Sequence, residues 1–335
     1  MLFTPTRTDE TAPERRAPPQ ADPAFRADVL SGLARSQKAI PARWFYDMRG
    51  SQLFEAITQV PEYYPTRTET ALLHAHAPAV GRILGDDAVV VEFGSGSSIK
   101  TRILLKAMPR ATYVPIDICG EFLEEACDAL QALFPVLRIM PVEADFTRPV
   151  ELPVPLSGPG ARGAALGFFP GSTIGNFTPA EAVDLLRSMR ATLGQGAQLL
   201  IGIDRVKDPA RLVAAYDDAQ GVTAQFNLNL LERINRELDG TVPVADFRHV
   251  ARWNEGQGRI EMHLEARRDL GFEVAGRRFR MAAGETIHTE NCHKYRPGEV
   301  GLLLAAGGWT QVEHWTDPQE DFSLVLARAE REAAG

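Results

Sequence analysis

The sequence predicts an α/β protein with a doubly wound, largely parallel sheet. Between residues 88 and 203, short apolar runs typical of buried strands alternate with longer segments of helical periodicity, and this alternation favours parallel strands joined by helices. A glycine turn follows the first strand and an acidic residue ends the second, as in sheets that bind nucleotide-like ligands. Strands are predicted at residues 88–93, 112–117, 137–142, 164–169 and 198–203, and helices at residues 98–108, 120–133 and 179–193.

The glycine turn indicates which ligand this sheet binds. Gly94 and Gly96 follow a strand and open a helix, which places backbone N–H groups and a helix N-terminus against a nucleotide-like ligand. Asp117, at the end of the next strand, suits a carboxylate that holds two ribose hydroxyls. Ile99 replaces the third glycine of a dinucleotide fingerprint, and Glu92 would repel a pyrophosphate but suits the cationic end of S-adenosylmethionine. The turn therefore favours S-adenosylmethionine over a nicotinamide dinucleotide.

The segment before the sheet is predicted to be a tail followed by short helices. Residues 1–24 are rich in Pro, Arg, Glu and Thr and poor in large apolar residues, which is typical of a mobile tail. Helical patterns cover Pro23–Arg35 and Ser51–Ile57. A loop bracketed by prolines, Pro61–Arg67, precedes a helix predicted from about Thr68 to Leu84.

Residues 205–294 interrupt the alternation of strands and helices. They contain a helical stretch, Asp208–Leu238, and two predicted strands, Gly258–Arg267 and Phe272–Phe279. We interpret this segment as an insertion that covers the active site.

The sheet resumes near the C-terminal end of the chain. Predicted strands at Thr310–Trp315 and Phe322–Ala327 lie close together in the sequence. Such a terminal pair suits the antiparallel last strand of methyltransferase sheets better than an ordinary dehydrogenase.

Composition excludes several classes of protein. The 335 residues are 44% hydrophobic and 24% charged, as in ordinary globular proteins. A net charge of −8 without a basic block argues against nucleic acid as a partner. The three cysteines form no Cys-x-x-Cys pair, which fits a reducing cytoplasm and disfavours disulfides and a zinc cluster. Without an apolar run of membrane length or a signal-peptide core, we expect a cytoplasmic protein that binds no membrane.

Seven blocks of sequence together resemble the L-histidine Nα-methyltransferases of ergothioneine biosynthesis. The similarity runs from about Pro41 to Arg328, and the combination is far more specific than one glycine turn. The blocks are Trp44-Phe45-Tyr46-Asp47, Pro61-Glu62-Tyr63-Tyr64-Pro65-Thr66-Arg67, Glu92-Phe93-Gly94-Ser95-Gly96, Gly171-Ser172-Thr173-Ile174-Gly175-Asn176, Ala215-Tyr216-Asp217-Asp218, Trp253-Asn254 and Thr289-Glu290-Asn291-Cys292-His293-Lys294.

The resemblance implies a class I methyltransferase fold, a Rossmann-like doubly wound sheet with a second, substrate-binding domain. The S-adenosylmethionine-binding domain would comprise residues 68–204 and 295–330. The substrate-binding domain would be built from the N-terminal segment, residues 25–67, and the insertion, residues 205–294. The resemblance also favours a monomer.

The resemblance implies a set of residues that contact S-adenosylmethionine. Asp117 would bind the ribose, Asp145 would accept from the adenine amino group, and Phe146 would supply a backbone N–H to the ring. A solvated helix residue is the alternative for Lys100, and a turn or cap role is the alternative for Asp145. The implied cofactor residues are Gly94, Lys100, Asp117, Asp145 and Phe146, with Tyr46 near the methionine end.

The resemblance further implies how an amino acid is held. Asn176 and Tyr216 would hold its carboxylate through neutral hydrogen bonds. Tyr46 and Phe54 would border its α-amino group, helped by backbone near Gly171. Tyr46 is also the candidate catalytic residue, since it would orient the amine while a water takes the proton.

The imidazole end of the implied site contains one departure from the family. Tyr63 and Glu290 would face the ring, and Met262 would pack near it unless it is an ordinary core residue. Cys292 stands where the family more often has serine, and a thiol is a weak donor and a softer group. Histidine binding is then weaker, or the preferred amino acid is tryptophan or tyrosine.

Histidines outside these roles are the remaining candidates for metal binding. His288, Glu290 and Cys292 alternate, which predicts that they share one face of a strand. With His293 nearby, they still lack typical ligand spacing, so no metal site is predicted. His74 and His76 lie on an amphipathic helix and are predicted at the surface.

The resemblance thus implies a transferase that trimethylates the α-amino group of L-histidine with S-adenosylmethionine, giving Nα,Nα,Nα-trimethylhistidine (hercynine) for ergothioneine biosynthesis. The first alternative is the same chemistry on another aromatic amino acid. The second is a cofactor-binding protein without turnover, and the third is a nicotinamide-dependent dehydrogenase.

Overall fold

The computed structural model describes residues 22–96, 99–156 and 163–330, which form an eight-stranded sheet, a four-stranded sheet and a two-stranded hairpin. The helices of these ranges are α1 (Pro23–Leu33), α2 (Met48–Ile57), α3 (Tyr64–Leu84), α4 (Ile99–Lys106), α5 (Gly120–Leu133), α6 (Pro179–Leu193), α7 (Pro209–Tyr216), α8 (Val222–Glu237) and α9 (Glu299–Ala306). The strands are β1 (Lys38–Ala39), β2 (Val89–Phe93), β3 (Thr112–Asp117), β4 (Arg138–Ile139), β5 (Val142–Glu143), β6 (Ala165–Phe169), β7 (Gln198–Asp204), β8 (Phe247–Asn254), β9 (Arg259–Ala266), β10 (Leu270–Val274), β11 (Arg277–Met281), β12 (Thr286–His293), β13 (Trp309–Thr316) and β14 (Phe322–Ala329).

The larger sheet has the predicted doubly wound topology. Its strand order is β13-β14-β7-β6-β2-β3-β4, with β5 also paired to β3. The strands from β2 to β7 are parallel, whereas β14 runs antiparallel to both β7 and β13. The order reverses around β2, so a crevice opens beyond the carboxyl ends of β2, β3 and β6. The predicted terminal antiparallel pair is confirmed.

Most predicted boundaries in this sheet are correct to within two residues, with two exceptions. The strand predicted at 137–142 is split into β4 and β5, because Pro141 between them has no N–H to donate to a ladder. Helix α3 begins at Tyr64 instead of Thr68, so the predicted loop is partly wrong. Pro65 sits in the first turn of α3, where a missing N–H costs nothing. Residue 98, predicted to begin α4, lies outside the described residues.

The smaller sheet packs against a second hydrophobic cluster. Its strand order is β1-β12-β9-β8. The cluster combines apolar side chains of residues 25–64 with those of residues 212–292. The N-terminal segment and the insertion therefore share one core. The division of the chain into two domains stays a prediction.

The insertion differs from its predicted elements in three places. The helical stretch Asp208–Leu238 is two helices, α7 and α8, because Gly221 adopts φ +69° before α8. The predicted strand Phe272–Phe279 is the β10–β11 hairpin, whose turn has positive φ at Ala275 and Gly276. Strand β8 was not predicted at all.

The remaining predictions concern the chain's ends and its surface. Residues 1–21 of the predicted tail lie outside the described residues, and α1 begins at Pro23, so the predicted tail boundary at 24 falls inside a helix. His74 is exposed as predicted, whereas His76 is half-buried and stacks on Trp315. In the described ranges, helices long and apolar enough to cross a membrane are absent.

Candidate active site

A pocket of about 470 Å³, measured to include the open space at its mouth, lies where the two sheets meet. It brings together every residue predicted to border the amino acid, although these residues come from distant parts of the chain. The residues that line it are Tyr46, Phe54, Ile57, Tyr63, Gly171, Thr173, Asn176, Ala215, Tyr216, Thr223, Phe226, Met262, Glu290 and Cys292. Five of these, Ile57, Thr173, Ala215, Thr223 and Phe226, were not predicted.

Aromatic rings form one wall of the pocket. The ring of Tyr46 lies 5.9 Å from that of Phe54 and 5.9 Å from that of Phe226. Tyr63 contacts Phe54 edge-on at 6.4 Å and Tyr216 edge-on at 6.1 Å. Aromatic faces attract cations, and a desolvated contact of this kind stabilises a cationic group by about 2 kcal/mol. The aromatic wall therefore suits a substrate ammonium group that gains alkyl groups during a reaction. Phe226 was missed because its position in α8 reads as ordinary core spacing.

The hydroxyl of Tyr46 stays protonated at neutral pH. Burial raises its pKa well above the ordinary value, and the negative charges of Glu290 and Asp117 add to that effect. Tyr46 therefore does not act as a phenolate base. It can still accept or donate a hydrogen bond that orients an amine.

The loop after β6 brings Asn176 to the pocket. Ser172 adopts a left-handed conformation with φ 59°, and a short 3₁₀ helix, Thr173–Asn176, follows it. Gly175 allows this helix to pack on β12, because a Cβ there would lie 2.6 Å from the carbonyl oxygen of His293. The side chain of Asn176 hydrogen-bonds Glu290. The structure thus joins two residues that were predicted at opposite ends of the substrate.

Glu290 is the acidic group of the pocket. Burial raises the pKa of its carboxyl to about 7, although Lys294 and the hydrogen bond from Asn176 lower it. The carboxyl group of Glu290 therefore loses its proton near physiological pH, and the resulting carboxylate can accept a hydrogen bond from a ring N–H.

A β-bulge determines which residues of β12 face the pocket. His288 pairs with His263 of β9, but Glu290 pairs with Met262, so Thr289 is an extra residue. The prediction that His288, Glu290 and Cys292 share one face is therefore wrong, because the extra residue reverses the alternation. Glu290 and Cys292 line the pocket, whereas His288 lies on the opposite face of the sheet.

His288 joins a polar cluster on that opposite face. Its ring stacks on His263 at 4.7 Å, and both lie near Glu261. Glu261 accepts from Arg259 at 2.7 Å, from Asn254 at 2.9 Å and from His263 at 3.2 Å. Burial lowers the pKa of His263 to about 4, so its ring is neutral. His288 makes none of these hydrogen bonds to Glu261; one of its ring nitrogens lies 3.0 Å from the backbone carbonyl oxygen of Glu290.

Cys292 and Tyr216 belong to a buried network that the sequence did not predict. The hydroxyl of Tyr216 lies 2.9 Å from the sulfur of Cys292. The ammonium of Lys294 lies 2.8 Å from that hydroxyl and 3.1 Å from that sulfur. Lys294 also pairs with Asp204 at 2.7 Å, and neither side chain of this pair has any exposed surface.

The residues predicted to bind the cofactor lie along the crevice of the larger sheet. Gly94 has φ +75°, and a Cβ there would lie 3.3 Å from the ring of Phe146, so glycine is required for this approach. Asp117 accepts hydrogen bonds at 3.1 Å from the backbone N–H groups of Gly96 and Cys119. The backbone N–H groups of Gly94 and Ser95 donate to the carbonyl oxygen of Ile116, and that of Gly96 donates to Asp117, so these three N–H groups are used within the protein. The close backbone approach at Gly94 and the carboxylate of Asp117 fit S-adenosylmethionine.

Asp145 takes part in local contacts as well. It accepts from the backbone N–H of Thr147 at 3.0 Å, which is the turn role weighed above, and it pairs with Arg43 at 3.3 Å. Its side chain remains about one-third exposed. Whether it also binds adenine stays a proposal.

Lys100 is not a solvated helix residue. Its ammonium pairs at 2.5 Å with Glu69, whose side chain is completely buried in α3. Glu69 also accepts from the backbone N–H of Gly171 at 2.9 Å. Glu69 therefore links the candidate cofactor residue Lys100 to the loop that lines the amino acid pocket. It was missed because only the tertiary fold shows that this acid faces inward.

Glu92 does not face a bound cation as predicted. Its side chain is 1% exposed and accepts from Thr101 at 2.5 Å and from the hydroxyl of Tyr113. Burial raises its pKa to about 8. Glu92 thus holds the glycine turn to α4 and β3.

The chain is similar to known histidine methyltransferases over most of its length. Residues 25–329 match the model of the family of histidine-specific, S-adenosylmethionine-dependent methyltransferases. The chain is 44% identical over 311 residues to histidine N-alpha-methyltransferase of Mycolicibacterium smegmatis, covering 91% of this chain and 94% of that one. It is 43% identical, with the same coverage, to the histidine N-alpha-methyltransferase of Mycobacterium tuberculosis. It is 30% identical over 301 residues to ergothioneine biosynthesis protein 1 of Neurospora crassa, covering 87% of this chain and 33% of that longer protein.

Proposed function

The chain belongs to the histidine-specific, S-adenosylmethionine-dependent methyltransferases, and on this basis we propose that it trimethylates the α-amino group of L-histidine. The product is Nα,Nα,Nα-trimethylhistidine, which serves ergothioneine biosynthesis. The observation that carries the proposal is the pocket itself, which combines an acid for a ring N–H with aromatic faces for an alkylated amine. We also place the enzyme in the cytoplasm, as a monomer without nucleic acid or membrane partners.

The pocket residues have complementary roles in this proposal. Glu290 and Cys292 bind the imidazole with Tyr63 and Met262 packed beside it. Asn176 and Tyr216 bind the carboxylate, which draws Asn176 away from Glu290. A buried acceptor gives selectivity, because a substrate that lacks the N–H leaves the carboxylate desolvated and unpaired.

The α-amine lies at the mouth between the two sheets. Tyr46 and Phe54 border it, with the loop at Gly171 on the other side. Gly94, Lys100, Asp117, Asp145 and Phe146 hold S-adenosylmethionine, which supplies an activated methyl group when bound.

Positioning contributes most of the proposed catalysis. The amine must be neutral before it can attack, and a nearby positive charge favours loss of its proton. Tyr46 orients the nitrogen, and water takes the proton. As methyl groups accumulate, hydrogen bonds to the amine are lost and the rings of Tyr46 and Phe54 stabilise the cation.

Binding measurements test the substrate assignment. Calorimetric titration of the protein with S-adenosylhomocysteine present should show binding of L-histidine and markedly weaker binding of L-tryptophan and L-tyrosine. If L-tryptophan or L-tyrosine bound more tightly than L-histidine, that amino acid would be the proposed substrate instead.

Cys292→Ser should lower the KM for histidine about five-fold, because a hydroxyl is a stronger hydrogen-bond donor than a thiol. The KM for S-adenosylmethionine should not change. Steady-state kinetics check this, with Cys127→Ser as the control because Cys127 lies in α5, outside the pocket lining. An increase in the histidine KM of Cys292→Ser would show that the thiol does not act as a donor to the ring.

The KM for histidine should fall as the pH rises through about 7, because Glu290 becomes a carboxylate, the better acceptor, in that range. Below that pH the protonated carboxyl accepts poorly. Measuring the histidine KM between mildly acidic and mildly alkaline pH checks this, and Glu290→Gln should remove the change. A profile that Glu290→Gln leaves intact would assign the titration to another group.

A further inference from the structure

Lys294 lies behind the wall of the pocket, and the mechanism above gives it no role. Its ammonium donates to Asp204 at 2.7 Å, to the hydroxyl of Tyr216 at 2.8 Å and to the sulfur of Cys292 at 3.1 Å. An ammonium has three N–H donors and no acceptor. These three partners therefore use all of its hydrogen-bonding capacity, and each partner must act as an acceptor toward it.

The charge of Lys294 is permanent because its counter-ion is buried with it. Asp204 also accepts from Lys207 at 2.5 Å and from the hydroxyl of Tyr64 at 2.7 Å. Burial opposes the charge on Lys294, but Asp204 holds its pKa well above the ordinary value. The ammonium is thus a fixed donor at any physiological pH.

A fixed donor determines the direction of its neighbours' hydrogen bonds. Tyr216 accepts from Lys294, so its own O–H must be donated elsewhere, and Cys292 lies 2.9 Å away. The sulfur of Cys292 accepts from Lys294, and burial raises the pKa of the thiol, so it keeps its proton. That S–H then points away from the ammonium, toward the pocket that Cys292 lines.

We propose that Lys294 is a positioning residue that makes Tyr216 and Cys292 present hydrogen-bond donors to the amino acid. The inference rests on the proposed function. A neutral imidazole has one N–H and one acceptor nitrogen. Glu290 takes the N–H and Cys292 serves the acceptor nitrogen, while the O–H of Tyr216, which is donated to Cys292 in the free protein, turns to the carboxylate. An indole ring offers no acceptor nitrogen, so it leaves the thiol unpaired.

Lys294→Met tests this, because methionine keeps an unbranched chain and removes the donors. We expect the KM and Kd for histidine to rise about 30-fold, and those for S-adenosylmethionine to stay within about two-fold. Lys207→Met is the matched control. This substitution removes the second lysine that pairs with Asp204. Lys207 contacts Tyr64 and Arg205 but neither Tyr216 nor Cys292. Its histidine KM should stay within about two-fold of the wild-type value.

A double-mutant cycle separates positioning from a structural role. In a Tyr216→Phe, Cys292→Ala background, Lys294→Met should cause little further loss of histidine affinity, because the groups it directs are gone. If Lys294→Met does not fold, Lys294→Met with Asp204→Asn removes both buried charges and carries the same expectation.

Four results would overturn the proposal. They are an unchanged histidine KM in Lys294→Met, an equal rise in Lys207→Met, fully additive losses in the cycle, and parallel losses of histidine and cofactor affinity. Failure of the proposed function is distinguishable, since it would appear as wild-type protein that neither binds nor methylates histidine.

Discussion

Glu290→Ala should raise the KM for histidine about 100-fold while the KM for S-adenosylmethionine stays within about two-fold. The substitution removes the buried acceptor for the ring N–H, so the bound imidazole keeps an unpaired donor. An unpaired buried donor costs about 1–3 kcal/mol, and more when the lost partner is charged. The loss should fall on the amino acid alone, because Glu290 of β12 lines the pocket, whereas the glycine turn after β2 does not.

Glu290→Gln is the matched control for this experiment. It keeps the size of the side chain and an acceptor oxygen but loses the charge, so its histidine KM should lie between those of wild type and Glu290→Ala. Steady-state kinetics with each substrate varied in turn give both KM values for wild type and for the two variants. Equal losses for histidine and the cofactor would mean that Glu290 supports the fold of the pocket instead of binding the ring.

Asp117→Ala should produce the opposite pattern, raising the KM and Kd for S-adenosylmethionine about 100-fold and leaving histidine binding within about two-fold. Asp117 ends β3 at the crevice and anchors the N–H groups of Gly96 and Cys119. A carboxylate there accepts from two ribose hydroxyls, and alanine accepts from neither. Titrations with S-adenosylhomocysteine and with histidine separate the two effects.

Asp117→Asn distinguishes ribose binding from support of the turn. Asparagine retains an oxygen for the turn but offers one acceptor fewer to the ribose. We expect an intermediate loss of cofactor affinity and an unchanged thermal midpoint. Cofactor affinity that is untouched in both variants would remove Asp117 from the cofactor site.

Local patterns were sufficient to predict the larger sheet. Strands such as Val89–Phe93 are short, apolar and followed by turn residues, and α6 begins at a capping box formed by Thr178 and Glu181. These signals lie within a few residues of one another in the chain. The β10–β11 hairpin was missed because Ala275 takes a positive φ that its residue type does not indicate.

The pocket could be predicted only through family resemblance. Local patterns were not sufficient, because residues such as Tyr46 and Glu290 come together only in the folded chain. Its polar support was not predictable. The pairs Glu69–Lys100 and Asp204–Lys294 join charged residues that are 31 and 90 positions apart. A buried ion pair of this kind has no local sequence signature, because either residue alone is typical of an exposed surface. The bulge at Thr289 was not predictable either, because the register of β12 depends on its pairing with β9.

Mass spectrometry of the reaction products tests the central claim most directly. Purified protein is incubated with S-adenosylmethionine and each of the common amino acids in separate reactions. The account predicts one product, histidine carrying three methyl groups on its α-nitrogen, with three S-adenosylhomocysteines formed for each. Methylated tryptophan or tyrosine with histidine unchanged would contradict the assignment of the pocket, and a histidine product that stops at one or two methyl groups would contradict the trimethylation.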